Sequence, residues 1–185
     1  AVGHSALQTQ NLAGGYEAYN IGVGYNAGGS ITVGLKNIAI GGLAGDALTD
    51  ADFNVAIGHQ ALTTDTQGDR NVAIGYLALE NQNFTSSTDS YNTAVGYNAG
   101  GAITTGVQNT LIGGLAGDAL TTGSYNVALG AYALSSEDTG SGNVAIGREA
   151  LENQNYDGTA YNIAIGYQTG KYITTGTNNT IVGGL

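Results

Sequence analysis

The sequence predicts an all-β protein built as a stacked-coil β-solenoid (β-roll) of about eleven coils. The first observation is a five-residue phrase, Asn-x-small-β-branched-Gly, which is represented by Asn71–Gly75 and occurs ten times. The second is its spacing, because the sequence number of the Asn rises by 17 at every step except two longer ones, Asn71 to Asn92 and Asn143 to Asn162. The third is that no segment keeps a helical apolar period over a useful length. The ten phrases begin at Asn20, Asn37, Asn54, Asn71, Asn92, Asn109, Asn126, Asn143, Asn162 and Asn179.

The coils are nested in units of four, which begin at Asn20, Asn92 and Asn162. For example, Gly42–Leu48 recurs unchanged as Gly114–Leu120. The chain starts and stops within a repeat, so we expect it to be a segment of a longer protein. The single array 1–185 divides into super-repeats 20–91 and 92–161, a partial unit 162–185 and a partial coil 1–19.

Each coil is predicted to contain one short strand at the phrase, followed by turns. We number positions from the Asn, so that Val72 is at +1 and Ile74 at +3; these two share a face because strand side chains alternate. The Gly at +4 is the same in all ten copies, which predicts a positive φ or a close approach of two backbones. Position +8 is Leu in coils three and four, whereas coils one and two have Gly there and a large apolar residue at +11.

Composition excludes several classes of function. Only 10% of the residues are charged and the net charge is −10, the opposite of the basic surface that nucleic acids and anionic membranes require. The chain has no Cys and no run of 18 apolar residues for insertion into a membrane. No nucleophile elbow, phosphate loop or zinc motif occurs. We therefore predict no enzyme activity, no catalytic residue, no cofactor and no metal site.

Position +2 of the phrase predicts an oligomer. A strand with one wet face should alternate apolar and polar residues, whereas a strand covered on both faces is continuously apolar. No polar residue occurs at +2, so both faces need cover, and we predict a parallel homotrimer in which small side chains let the chains approach closely. The alternative is a single-chain solenoid with a dry alanine stripe. Position +2 is occupied by Gly22, Ala39, Ala56, Ala73, Ala94, Leu111, Ala128, Ala145, Ala164 and Ile181.

The ten asparagines are predicted to form a structural ladder. An unpaired buried amide costs about 1–3 kcal/mol, so ten of them at one register require partners. We expect each side-chain amide to bond the next coil along the stack.

Two runs, Asn92–Ala99 and Asn143–Leu151, carry a resemblance to known fibres. They resemble the 17-residue repeats of phage tail-fibre and bacterial surface-fibre proteins. They are also similar to a shorter phrase in the head of trimeric autotransporter adhesins, which is a trimeric left-handed β-roll. The resemblance implies a rigid, trimeric shaft.

The expected function is that of a structural fibre shaft with a host-attachment role, in a viral tail fibre of the virion. One alternative is a bacterial cell-surface adhesin, which would be extracellular. Another is a polysaccharide-degrading fibre enzyme, for which Glu137 and Glu149 lie in the densest acidic groups. A third is an ice-binding face on the threonine pairs Thr104-Thr105, Thr121-Thr122 and Thr174-Thr175. The partner of a fibre would be a glycan or protein of the host surface.

Aromatic residues are the candidates for surface binding. At +5, His59, Tyr76 and Tyr97 fall in neighbouring coils, and Arg148 precedes Tyr167; either they stack along the fibre or they offer a sugar-binding strip. The expanded turns of coil four, 8–19, 80–91 and 152–161, should protrude as binding loops or act as spacers. These turns carry Tyr16, Tyr19, Phe84, Tyr91, Tyr156 and Tyr161.

Several His and Asp residues could bind an ion or could have a simpler structural role. His4 and His59 lie three coils apart and could bind an ion only across a trimer axis. Asp46 and Asp118 occupy equivalent turns, where they could bind Ca²⁺ or stabilise the turn. The pairs Asp50/Asp52 and Asp65/Asp69 are expected at solvated edges.

Overall fold

The computed structural model describes residues 1–11 and 17–185. Within them the chain forms twelve short strands and no helix. The strands are β1 (Ile21–Val23), β2 (Ile38–Ile40), β3 (Val55–Ile57), β4 (Gly68–Asp69), β5 (Val72–Ile74), β6 (Thr88–Asp89), β7 (Thr93–Val95), β8 (Thr110–Ile112), β9 (Val127–Leu129), β10 (Val144–Ile146), β11 (Ile163–Ile165) and β12 (Thr180–Val182).

One strand per coil joins a single ten-stranded parallel sheet in the order β1-β2-β3-β5-β7-β8-β9-β10-β11-β12. Every pair is in register, so that Ala56 lies beside Ala73 and Ala128 beside Ala145. The predicted all-β solenoid is confirmed, with about ten turns where we expected eleven. The described part of residues 1–19 contains no named strand; it joins β1 through an isolated bridge between Val2 and Val23 and stacks on the next coil through further backbone hydrogen bonds, such as Leu7 N–H to the Ala27 carbonyl.

Of the remaining two strands, β6 lies in the expanded turn 80–91 and β4 lies at the end of the preceding coil. β4 and β6 pair in parallel at the place where the longest step, from Asn71 to Asn92, enlarges the coil. The shorter expanded turn of the second super-repeat makes a single bridge, Ser141 to Thr159, at the corresponding place. The added residues therefore extend the coil locally and leave the main sheet in register.

The invariant Gly at +4 has both properties that its constancy among the repeats predicts. Its φ lies between +126° and +145° in the described copies. A Cβ at Gly75 would stand 2.2 Å from the carbonyl oxygen of Gly96, one coil further along. Any larger residue would therefore separate the coils or strain the backbone.

The direction of the strand side chains corrects one expectation. The small side chains at +2 were expected between chains, but from Ala39 to Ala164 they are fully buried inside the single chain. The β-branched residues at +1 and +3 point outward and are partly exposed, as in Ile21 and Ile165. The interior of so narrow a coil has room for alanine there, because larger side chains enter from the other walls.

Those larger side chains come from +8 or +11, one per coil. A Cβ at Gly45 would lie 2.9 Å from the side chain of Leu48, and at Gly117 the same distance separates it from Leu120. Gly at +8 thus makes room for the apolar residue at +11. Coils three and four reverse this arrangement: Leu62 and its equivalents fill the core from +8, and +11 is free for a polar residue.

We predict that Gly113→Ala destabilises the solenoid by about 3 kcal/mol or more, because φ is +138° and the new Cβ would meet the Gly130 carbonyl at 2.6 Å. Chemical denaturation of the two proteins measures this loss. The adjacent Gly114→Ala is the control, since its Cβ meets nothing within 4 Å. Equal stability of the two variants would contradict the close-approach explanation.

Candidate binding surfaces

The asparagine column lies in the interior, where it joins coils through the backbone. The backbone N–H of each Asn donates to Oδ1 of the Asn one coil earlier, at 2.7–3.2 Å. In most coils Nδ2 also donates to a carbonyl further along the same coil; Asn126 reaches Gly140 at 2.9 Å. The oxygen therefore connects neighbouring coils, and the amide nitrogen holds the two ends of one coil together.

Asn126→Leu is expected to lower the free energy of unfolding by about 3 kcal/mol, since Leu leaves the buried Asn143 N–H and Gly140 carbonyl without partners. Urea denaturation followed by circular dichroism would report the change. Asn155→Leu serves as the control because Asn155 is exposed, and a loss of similar size there would contradict the ladder's role.

Two buried polar nodes occupy +11 of coils three and four. In the first, Asp65 is fully buried; its Oδ1 accepts from the N–H groups of Gly68 and Phe84, both at 3.0 Å, and its Oδ2 accepts from Gln82 at 2.6 Å. Gln82 in turn accepts from the ladder residue Asn92 at 2.8 Å. The pair Asp65/Asp69 is therefore not a solvated edge: Asp69 is also buried.

The second node repeats this arrangement with Glu137 and Gln154. Glu137 is fully buried and accepts from Gly140 N–H at 2.8 Å, Gln154 at 3.0 Å and, more weakly, Tyr156 N–H. Gln154 accepts from Asn162 at 2.9 Å. Each node binds a backbone N–H of the following expanded turn, so it fixes that turn to the core. The Glu137 carboxylate is thus buried and engaged by these donors.

We expect Glu137→Leu to cost about 3 kcal/mol or more, because several buried donors lose their acceptor at once. The amide of Tyr156 should also exchange faster with solvent, as its turn loses its attachment. Hydrogen exchange together with urea denaturation tests both effects. Leu120→Met, one coil earlier at the same position, should cost less than about 1.5 kcal/mol; a comparable loss would argue against a specific polar effect.

The outward face of the ten-stranded sheet forms a regular apolar surface. Its two columns are almost entirely Ile, Val, Leu and Thr, and several side chains, such as Ile40 and Leu129, are exposed. At one strand per ~4.8 Å and three residues per strand, the face is about 45 Å long and 10 Å wide. Apolar patches of this size are often functional.

The predicted aromatic row at +5 is present. Ring centroids of His59 and Tyr76 are 5.7 Å apart and those of Tyr76 and Tyr97 are 5.6 Å apart, with interplanar angles of 13° and 7°. His4 stacks on Tyr25 in the same manner at 5.7 Å. Tyr76 therefore offers its edge, because both of its faces are covered. The expected contact of Arg148 with Tyr167 is not made: the Arg148 guanidinium pairs with Glu149 at 2.6 Å.

A second aromatic column, which we call the edge column, was not predicted from the sequence. It consists of the residue before each Asn, and an aromatic ring occurs there in every second coil. The cations of two intervening coils contact those rings: Lys36 Nζ lies 4.8 Å from the Phe53 centroid, and the Arg70 guanidinium lies 4.9 Å from Phe53 and 5.8 Å from Tyr91. In chain order, the residues of the column are Tyr19, Lys36, Phe53, Arg70, Tyr91, Gln108, Tyr125, Gly142, Tyr161 and Asn178. Alignment of the super-repeats would have revealed the alternation.

The expanded turns differ in what they offer to a partner. Tyr91 and Tyr161 are exposed, and Tyr156 is half-buried. Phe84 is buried with 9% of its surface exposed, so its ring belongs to the core although we had expected it on the surface. Tyr16 lies outside the described residues.

A charged cluster joins the last coils. Lys171 lies 2.5 Å from Glu149 and 2.7 Å from Glu152. The bond from Lys171 lowers the pKa of Glu149, and the two carboxylates raise the pKa of Lys171. Each charge is thus paired across the stack, and Glu149 is committed to this cluster.

The two equivalent aspartate turns differ in the partners of their carboxylates. Asp46 accepts from Asn26 Nδ2 and Thr63 Oγ1. Its equivalent, Asp118, has a buried Oδ1 with no partner among the described residues, and burial raises its pKa. No group of three or more His, Cys, Asp or Glu side chains suited to a metal occurs in residues 1–11 and 17–185.

Position +12 forms a threonine ladder that also escaped prediction. Thr104 Oγ1 donates to the carbonyl of Thr121 at 3.2 Å, and Thr121 Oγ1 donates to that of Asp138 at 2.9 Å. In each of these two threonine pairs, the hydroxyl of the first threonine therefore forms a hydrogen bond between coils.

Comparison of the chain with protein-family models, curated proteins and solved structures finds no match. Among the described residues, no helix is sufficiently long and apolar to span a membrane.

Proposed function

We propose that this chain is a rigid fibre shaft made of three parallel copies, joined through the outward faces of their ten-stranded sheets. The observation that carries the proposal is the outward position of the β-branched columns at +1 and +3. Inside the chain, alanine, leucine and the asparagine ladder already fill the coil, so only another molecule can cover these columns.

A second copy of the chain is the occupant that fits this face. The strip is long and narrow and repeats at the strand spacing of about 4.8 Å. A compact partner would match only a few coils, whereas a parallel copy has the same period and can interdigitate side chains along the whole length. The number of three copies comes from the resemblance of the repeat phrase to trimeric β-rolls.

The proposed setting is a viral tail fibre that contributes to host attachment in the virion. The 17-residue phrase supports this setting, and so do the dense hydrogen-bonded columns, which suit a rod under tension. Tyr76, Tyr97, Tyr91, Tyr156 and Tyr161 are the proposed contacts with a surface glycan or protein, because they lie away from the fully buried core. A bacterial surface adhesin would have the same shaft, and expression of the chain on a cell envelope would identify it.

The mass in solution tests the shaft directly. Sedimentation equilibrium should give about three times the 18.5 kDa of one chain. The double variant Ile57→Lys/Ile146→Lys places charges on the outward face and should reduce the mass to one chain, with the far-UV spectrum unchanged. A wild-type mass of one chain would contradict the proposal.

Thr64→Lys/Thr122→Lys is the matched control, because both residues are exposed in turns and the two lysines add the same charge outside the sheet. It should leave the mass at three chains. Dissociation of both variants alike would mean that charge in general, and not the sheet face, governs assembly.

A further inference from the structure

The +5 column contains a gap one coil deep. Tyr25 and His59 lie two coils apart, and the coil between them has Gly42 at this position. A Cβ at Gly42 would be in ordinary contact with the His59 ring at 3.4 Å and meet no other atom within 4 Å. We call this gap, walled by the Tyr25 and His59 rings and floored by Gly42, the ring slot.

Each of the two rings has one face without a stacking partner, and that face points toward the slot. Tyr25 stacks on His4 on the side away from Gly42, and His59 stacks on Tyr76 on its own far side. Tyr25 is 61% exposed. The outer stacking partners hold both rings in place, so the slot is preorganised and an occupant need not order its walls.

The edge column shows what fits between rings two coils apart. There, the Arg70 guanidinium lies 4.9 Å from the Phe53 centroid and 5.8 Å from the Tyr91 centroid, and it is also ion-paired with Asp89 at 2.7 Å. At the strand spacing of about 4.8 Å, rings two coils apart are separated by about 10 Å, which is close to the span that the Arg70 sandwich fills. A guanidinium is flat and weakly hydrated, so it stacks on aromatic faces at a small desolvation cost.

Charge favours the same occupant. The net charge is −10, which raises the local concentration of cations. Asp46 lies in the coil of Gly42 and accepts from Asn26, the residue after Tyr25. No positively charged side chain occupies +5 in the coils that form the slot.

We propose that the ring slot binds the guanidinium group of an arginine side chain presented by a partner protein. The occupant repeats between Tyr25 and His59 the sandwich that Arg70 makes within the chain. The second super-repeat supplies an internal comparison. Gly114 occupies the equivalent position, but within the +5 column Tyr97 is its one aromatic neighbour, because the next coil has Ala131. It therefore forms half a slot.

A titration of the full chain with N-acetyl-arginine amide, followed by NMR, tests the proposal. The side-chain methylene protons of the ligand should move upfield and saturate in the millimolar range, because ring currents act on a group between two rings. N-acetyl-citrulline amide has the same shape without the charge and should bind at least about threefold more weakly. Absence of a saturable shift, or equal binding of the two ligands, would overturn the proposal.

Substitutions identify the site. Gly42→Arg should fill the slot from within and abolish binding, and Tyr25→Ala should weaken it by removing a wall. Gly114→Arg adds the same side chain at the half slot and should leave the titration unchanged. Binding that persists in Gly42→Arg, or is lost equally in Gly114→Arg, would place the ligand elsewhere on the chain and refute the assignment.

Discussion

The stack depends on a single constraint: each position of a coil must meet its own counterpart one strand spacing further along. The asparagine column meets this constraint with buried bonds, since Oδ1 of one Asn accepts the backbone N–H of the next, as between Asn109 and Asn126. The glycines at +4 satisfy the constraint because they have no side chain: the backbones of neighbouring coils approach there more closely than a Cβ would allow. Both columns lie at the ends of the short strand, and together they hold the narrow sheet in register through ten coils.

Inside the core, a change at one position of the coil is compensated by a change at another. An apolar residue at +11 requires Gly at +8, whereas Leu at +8 leaves +11 to the acid–amide pairs Asp65/Gln82 and Glu137/Gln154. Leu111, the one large residue at +2 within the closed core, rests against Gly100 and Gly117, the glycines at +8. The four-coil period is thus a packing period, and the polar nodes mark the coils from which the expanded turns leave.

The surfaces follow from the same stacking. Identical or complementary residues in a column produce continuous strips: an apolar sheet face, an aromatic row and an edge column of alternating rings and cations. Where a column lacks a side chain, as at Gly42, the strip has a gap whose dimensions are set by its neighbours. The proposed ring slot is therefore formed by the absence of a side chain, and the coil spacing sets its geometry.

The sequence by itself determined the solenoid, its repeat length, the four-coil unit, the position of the Asn column and the close approach at the invariant Gly, because each is expressed as a period or an invariant residue. It could not decide which face of the strand points inward. Positions +1, +2 and +3 are all apolar, so the pattern does not distinguish a buried face from an exposed one. Only the tertiary structure decided this: the coil is narrow, Leu and Ile enter from +8 and +11, and alanine is what fits opposite them. The same limit explains Phe84, Asp65 and Glu137, whose burial depends on contacts between neighbouring coils that are distant in sequence.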